Sequence, residues 1–432
     1  MTIADRFRSV RMDVTPLKES RDFRLLFTAG TIFYLGAMMT YVAIPFSLYH
    51  LTGSNFAVGV VGLVELVPLV VFGLYGGALA DHADRRRILI ACGTAEALLT
   101  VVLALNALSD HPRVWLIYVV AGLLACTTGL RRPSKEALLP RTVRHEQIAA
   151  ANALDSFGTQ AGVLVGPAVG GLLLAHAGPA WCFGANAVAL LVAVVMFVLL
   201  RPYPHVGETE APSLRGIREG LTYAMRRKDL LGTYLVDIAA MLLAMPVVIF
   251  PALATEVFDR PELLGLLYSA ETVGAVVATA LSGWTARVHH HGRAIVIAAS
   301  VYGAGIALAG AAPGIWLCMA FLAVAGGADM ISGVFRSTVW NQTIPDNMRG
   351  RLAGIEMLSY SVGPMGGDVR AGFVADAWSV RGSFVSGGVA CVAGVALTAA
   401  WLRDFWTYDD RTDPHAVAER ERRAGQADAA AT

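Results

Sequence analysis

Charge is scarce in this 432-residue chain: Asp, Glu, Lys and Arg make up 16% of it, against about 25% in soluble globular proteins. That scarcity argues against a soluble fold with an ordinary charged surface. Cysteine is confined to Cys92, Cys126, Cys182, Cys318 and Cys391. Each falls inside an apolar run and none forms a CxxC pair, so all five read as small packing residues. The first twenty residues are polar and hold no short apolar segment, so no cleavable leader is expected and the first span stays as an anchor. No phosphate-binding loop, metal cluster or catalytic triad is present, so no cofactor, no metal and no ATP hydrolysis are expected. Net charge is +1, which implies no nucleic-acid partner.

What the chain has in quantity is apolar sequence. It is 56% hydrophobic with a mean hydropathy of +0.57, and runs long enough to cross a bilayer recur along its length. They predict an all-α membrane protein of twelve spans, in two six-helix bundles. The first set lies near 24–51, 55–80, 87–108, 114–138, 148–176 and 180–200. The second lies near 230–257, 262–287, 293–311, 315–341, 350–375 and 381–402. The organisation is a bundle over 1–200, a linker over 201–228, a bundle over 229–402 and a tail over 403–432.

Alternate connections, with the two ends, carry thirty Lys and Arg residues, while the opposite set holds only Arg113, Arg260 and Arg381. This asymmetry puts both termini and the linker in the cytoplasm. Within the linker, Leu214, Ile217, Leu221 and Met225 recur at helical spacing among arginines, which predicts an amphipathic helix on the inner membrane surface. The tail reads as disordered or a frayed helix, and His289, His290 and His291 as a solvated inner loop.

The halves repeat. At a displacement of 206 residues, Pro45, Gly59, Glu65, Gly77 and Arg87 meet Pro251, Gly265, Glu271, Gly283 and Arg293. At 201, Thr142, Gly162 and Gly171 meet Thr343, Gly363 and Gly372, and Asp155 meets Glu356. Recurrence of rare intramembrane acids points to duplication with parallel topology, which places a substrate site between the halves near mid-membrane.

The stretch Gly76–Arg87 resembles motif A of the major facilitator superfamily at Gly77, Asp81, Arg85 and Arg86, departing from it at His82 and Asp84. The fifth span resembles that superfamily's motif C, GP-xx-GG, with Gly162, Gly166, Pro167, Gly170 and Gly171. Motif C implies export rather than import. Val114–Gly129 lacks the intramembrane basic residue usual in the fourth span of drug:proton antiporters. Three further stretches, Asp22–Leu26, Gly265–Tyr268 and Asn347–Arg351, are similar to a subgroup holding siderophore, macrolide and multidrug exporters. The resemblance implies alternating access, with one half rocking against the other.

An ionisable residue inside a span marks function by default. At 1.5 Å per residue, Glu65 and Glu271 lie about 15 and 14 Å from the outer helix ends and Asp237 about 10 Å inside its span; these three are the proton-coupling candidates. Tyr34 and Tyr268 are candidates for a cavity that receives a planar or cationic substrate. An inner-gate set joins Gly77, Asp81, Arg85 and Arg86 with Arg132, Asp155, Arg336 and Glu356. Arg131 belongs to the same inner region. Glu96, on a span expected to be peripheral, reads as a packing or lipid-edge residue.

The expected function is secondary export of small organic molecules, drug-like or siderophore-like, by proton antiport. The partners expected are membrane lipid, protons and a small-molecule substrate, with the protein a monomer in the cell membrane. Import by symport, lipid flipping and a non-transporting receptor are the alternatives.

Overall fold

The computed structural model of the protein describes residues 13–203 and 222–431. Within those ranges side chains are described except at 74–82, 145, 286, 346–351, 353–358, 360 and 423–431. The linker residues 204–221, with most of the expected amphipathic helix, lie outside the described residues, as do the side-chain positions of Gly77, Asp81 and Glu356.

Twelve long helices follow the apolar runs: α1 (Arg21–Thr52), α2 (Asn55–His82), α3 (Arg85–Leu108), α4 (Val114–Leu138), α5 (Ile148–Ala177), α6 (Pro179–Val198), α7 (Lys228–Ala244), α8 (Leu264–Ala280), α9 (His291–Ala311), α10 (Ile315–Thr343), α11 (Asp346–Ala377) and α12 (Val380–Trp401). Among the described residues, eleven helical segments are long and apolar enough to cross a membrane. The exception is α11, which is 32 residues long but carries Glu356, Asp368, Arg370 and Asp376 along its length.

Local chemistry sets the ends. Asp84 caps α3 by accepting from the Arg86 amide at 3.0 Å, which accounts for an acid where motif A has glycine. Ser379 caps α12 through the Gly382 amide at 2.9 Å. At the end of α5, Gly178 takes φ 83° and returns its N–H to Leu173 and Leu174, and Pro179 opens α6. Exposed tryptophans sit near helix ends, Trp115, Trp181, Trp316, Trp378 and Trp401, as an interfacial belt requires.

The seventh span is broken rather than continuous over 230–257. Pro246 cannot extend α7, so a 3-10 turn (Val247–Ile249), one helical turn (Phe250–Ala252) and a π-helical turn (Leu253–Val257) complete the crossing. The eighth stops at Ala280 and continues as a 3-10 turn over Ser282–Arg287.

The chain divides into two compact units: Met1–Ser47 with Val67–Ala211, and Leu48–Leu66 with Pro212–Thr432. In the first, Phe23, Leu26 and Phe33 of α1 pack with Leu89 of α3 and Leu190 and Phe197 of α6. In the second, α8, α9 and α12 close around α10 and α7, and α7 lies along α11.

The tail and the histidines depart from expectation. Pro414–Ala431 forms a helix, α13, with Ala416 and Glu419 buried against the unit. His289 Nδ1 lies 3.0 Å from Asp410 and His290 Nδ1 3.4 Å from Asp409. His291 is buried between Phe335 and Tyr408. The histidines therefore meet the tail: His291 is buried between apolar rings, while His289 and His290 contact Asp410 and Asp409 and stay partly exposed, as a solvated loop would leave them.

Candidate transport site

The most buried charge in the second unit is an ion pair. Arg336 of α10 donates to Asp237 Oδ1 of α7, and the two side chains are 5% and 2% exposed. Ser359 of α11 donates to Asp237 Oδ2 at 2.8 Å, and Asp329, two turns earlier on α10, lies 3.7 Å from Arg336. One turn beyond, Trp340 Nε1 donates to Thr233 Oγ1 at 2.8 Å, tying α10 to α7 again. Three helices thus share one charge network. Asp237 and Arg336 were assigned to different sets from the sequence, a coupling site and an inner gate. The structure makes them one pair, while the side chain of Glu356 lies outside the described residues.

Two more carboxylate groupings lie in the same unit. Glu271 sits where α8 touches α10: a Cβ on Gly326 would lie 2.1 Å from the Glu271 carbonyl oxygen, and one on Gly274 1.7 Å from that of Ala323. Only glycine permits this approach, and it brings Glu271 within charge–charge range of Asp329. Glu271 Oε1 accepts no hydrogen bond among the described residues. On α2, Gly59 and Gly62 rest on the α11 backbone at Asp368 and Met365. The two helices run antiparallel there, and each side chain leans toward its own N-terminus, so Glu65 and Asp368 face one another in charge–charge range. From the sequence Asp329 reads as a lesser intramembrane candidate and Asp368 as an acid that pairs elsewhere on α11; the structure sets them in charge–charge range of Glu271 and Glu65. Their signal was present, as intramembrane acids two turns from Arg336 and three residues after Met365.

Of the aromatic candidates, Tyr268 is 7% exposed and stands edge-on to Phe250 at 5.1 Å. Its ring is taken up by packing rather than presented to a cavity. Tyr34 is half-buried on α1, against Gly162.

In the first unit the charges pair one to one. Arg131 of α4 meets Glu96 of α3 at 3.4 Å, both buried, with the guanidinium 3.8 Å above the Phe33 ring. Glu96 is therefore an internal ion-pair partner and not a lipid-edge residue. Arg131 lies within α4, beyond the stretch 114–129 that has no basic residue. Asp155 of α5 meets Lys135 at 2.6 Å, whose alkyl chain lies on Gly30. Arg132, expected at the gate, is exposed and pairs with Glu136 one turn on.

Arg85 and Arg86 bond backbone carbonyls, and the side chain of Asp81, expected beside them, lies outside the described residues. Arg85 donates to the Ala137 carbonyl at 2.9 Å, and Arg86 to those of Phe197, at 3.3 Å, and Val198. The carbonyls left over at the ends of α4 and α6 take up these cations.

The motif C glycines make a helix seam. Added Cβ atoms at Gly162, Gly166 and Gly170 would meet α1 at Leu35 and Tyr34, at Met38 and at Met39. Pro167 and Gly171 are buried on the same helix. In the second unit, Gly363 and Gly367 meet α7 at Met241 and Met245. Leu35, which meets Gly162 and Gly166, and Met241, which meets Gly363 and Gly367, obey the displacements seen in the sequence, 201 for the glycines and 206 for the partner.

Comparison with known proteins agrees with this geometry. The profile of the family described as transmembrane secretion effector, within the major facilitator superfamily, matches residues 12–417. The chain belongs to this family. It is 26% identical over 344 residues to the enterobactin exporter EntS of Shigella boydii serotype 18 and to EntS of Escherichia coli O1:K1, covering 80% of this chain and 83% of each relative. Among solved structures, the nucleoside transporter NupG (D323A mutant) superposes with a TM-score of 0.72 at 12% identity, over 89% of this chain and 99% of that one. A bacterial homologue of the human lysosomal transporter Spinster gives 0.67 at 14% identity, over 92% and 96%. The fold is thus that of the major facilitators. This family member is a multi-pass membrane transporter and not an enzyme.

Proposed function

We propose that the protein exports small organic molecules from the cytoplasm by proton antiport, with both termini inside and the two six-helix halves alternating access. The observation that carries the coupling is the acid surplus of the second unit. Glu65, Asp237, Glu271, Asp329 and Asp368 are accompanied in mid-span by Arg336 and Arg370 alone among the described side chains. Like charges in a medium of low dielectric repel strongly, and a proton arriving at Glu271 or Glu65 removes that repulsion. The helix packing then changes with the proton, which is what coupling requires. Asp237, locked to Arg336, is the switch that other acids act through rather than the first proton acceptor.

Export direction rests on the motif C seam and on the printed function of the enterobactin exporters. A siderophore-like or drug-like cargo follows from the same likeness.

The test uses reconstituted vesicles. Glu65→Gln, Glu271→Gln and Asp237→Asn are each assayed for proton-driven accumulation and for substrate exchange, with enterobactin and ethidium as probes. A coupling residue loses accumulation and keeps exchange. Normal accumulation and proton release in all three variants would sink the coupling sites. Growth of a deletion strain under iron limitation and across antibiotics separates siderophore from drug cargo.

A further inference from the structure

The first turn of α2 is held by a carboxylate from another helix. Asp376, next to last in α11, accepts four hydrogen bonds there. Its Oδ1 takes the Asn55 amide at 2.8 Å and Asn55 Nδ2 at 3.0 Å, and its Oδ2 takes Ser54 Oγ at 2.6 Å and the Phe56 amide at 2.9 Å. Both partners lie in the second unit. The contact is close by construction: a Cβ on Gly372, one turn before Asp376, would lie 2.3 Å from the Asn55 carbonyl oxygen. Phe56 and Phe373 meet edge to face at 6.2 Å. Beside it, Tyr49 at the end of α1 donates to Glu256 in the π-helical turn.

A helix of this fold does not need such a cap. α2 has one of its own, since Ser54 Oγ accepts from the Ala57 amide at 3.1 Å. The repeat-related helix α8 begins at Leu264 with no side-chain cap. At the repeat position of Asp376 stands Ala175, and at those of Ser54 and Asn55 stand Arg260 and Pro261. The carboxylate is thus an addition in one half, placed where the positive end of the α2 dipole and four backbone or side-chain donors converge on it. Nothing in the proton network requires it, for it lies two turns beyond Asp368 toward the outer end of α11.

We propose that Asp376 is a positioning residue for transport: the latch that holds the outer ends of α2 and α11 together and must release for the outer side to open. The inference rests on the alternating-access reading above. The four bonds break together, because they share one carboxylate, so the latch is all-or-none. The glycine seam beneath it, Gly59, Gly62 and Gly372, is smooth and offers little resistance once the latch is open.

The experiment follows hydrogen–deuterium exchange and transport in the full-length protein in lipid nanodiscs and vesicles. Asp376→Ala is expected to raise exchange at the outer ends of α2 and α11 and to lower it at the opposite ends of their neighbours, in the α4–α5 connection, 139–147, and at the end of α10, 336–345. Transport of the probe cargo, enterobactin or ethidium, is expected to fall at least about tenfold, since a single hydrogen bond to a charged group is worth that much and four are lost. Asp376→Glu is expected to recover a good part of both. Faster exchange confined to the first turn of α2, with the opposite ends unchanged, would mean a purely local cap and overturn the latch. So would wild-type transport in a folded Asp376→Ala protein. If that variant does not assemble, Ser54→Ala with Asn55→Ala removes the two side-chain donors and is judged by the same two readouts. Absence of transport in the wild-type protein would count against the exporter reading alone, since the reciprocal exchange pattern is measured without cargo.

Discussion

Arg336 and Asp237 are 99 residues apart in sequence and in direct contact. Each was recognisable as an intramembrane charge, but that one neutralises the other is decided by the packing of α7 on α10. Removing Asp237 takes away the buried acid that the Arg336 guanidinium donates to, so Asp237→Ala is expected to cost about 3–5 kcal/mol. Asp237→Ala combined with Arg336→Met should recover most of it, as measured by thermal unfolding in detergent. A double variant no more stable than the single would show that the pair is not what holds these helices. Glu96 makes the same point in the first unit: its partner Arg131 lies 35 residues on, in the next antiparallel helix. Hydropathy sees the acid as an outlier, whereas the hairpin of α3 and α4 places a base at the same depth.

Helices were legible individually and their interruptions less so. Apolar length predicts the seventh span, yet Pro246 splits it, and only the neighbouring elements show how the chain resumes through a π-helical turn. Glycine spacing announced close packing on α5, whereas the tightest approach lies between α8 and α10. Gly274→Ala would put a methyl 1.7 Å from the Ala323 carbonyl oxygen. It is expected to destabilise by about 1–3 kcal/mol and to reduce yield, and a folded variant with unchanged melting temperature would contradict that packing.

The tail helix α13 is the element that composition left open between disorder and a frayed helix. Few apolar residues flag it, but Asp409 and Asp410 find His290 and His289. Hydrogen bonds from the Arg411 side chain and amide hold the Asp409 carboxyl below its usual range. A carboxylate shifted down stabilises the folded arrangement at every pH above its ordinary value, about 3.9, and that contribution is lost as pH falls through and below it. Docking is therefore expected to persist down to about pH 4 and fail below it, read as the onset of peptic cleavage in the tail. Arg411→Ala should loosen the tail at neutral pH, read as faster tryptic cleavage after Arg420. Equal cleavage rates in variant and wild type would show that Arg411 does not set the dock.

At the scale of the whole molecule, topology follows from counting. Cysteines placed at Ser109 and Ser379 are expected to react with an impermeant thiol reagent in intact cells, and one at Arg144 only after lysis. Labelling at position 144 in intact cells would reverse the orientation. The duplication was equally countable, because residues that serve the same place in two bundles keep a fixed displacement.

The sequence by itself determined that this chain spans a membrane many times, that it is built twice over, and which rare charges lie within the bilayer. Those properties are summed along the chain: hydropathy over about twenty residues and basic residues per connection. The tertiary structure alone decided which charges meet. Asp237 with Arg336, Glu96 with Arg131, Lys135 with Asp155 and Asp376 with the first turn of α2 are all contacts between separate helices. The energy of a charge in a low-dielectric interior depends on what stands within a few ångströms of it, and that distance is a property of packing that no single helix carries.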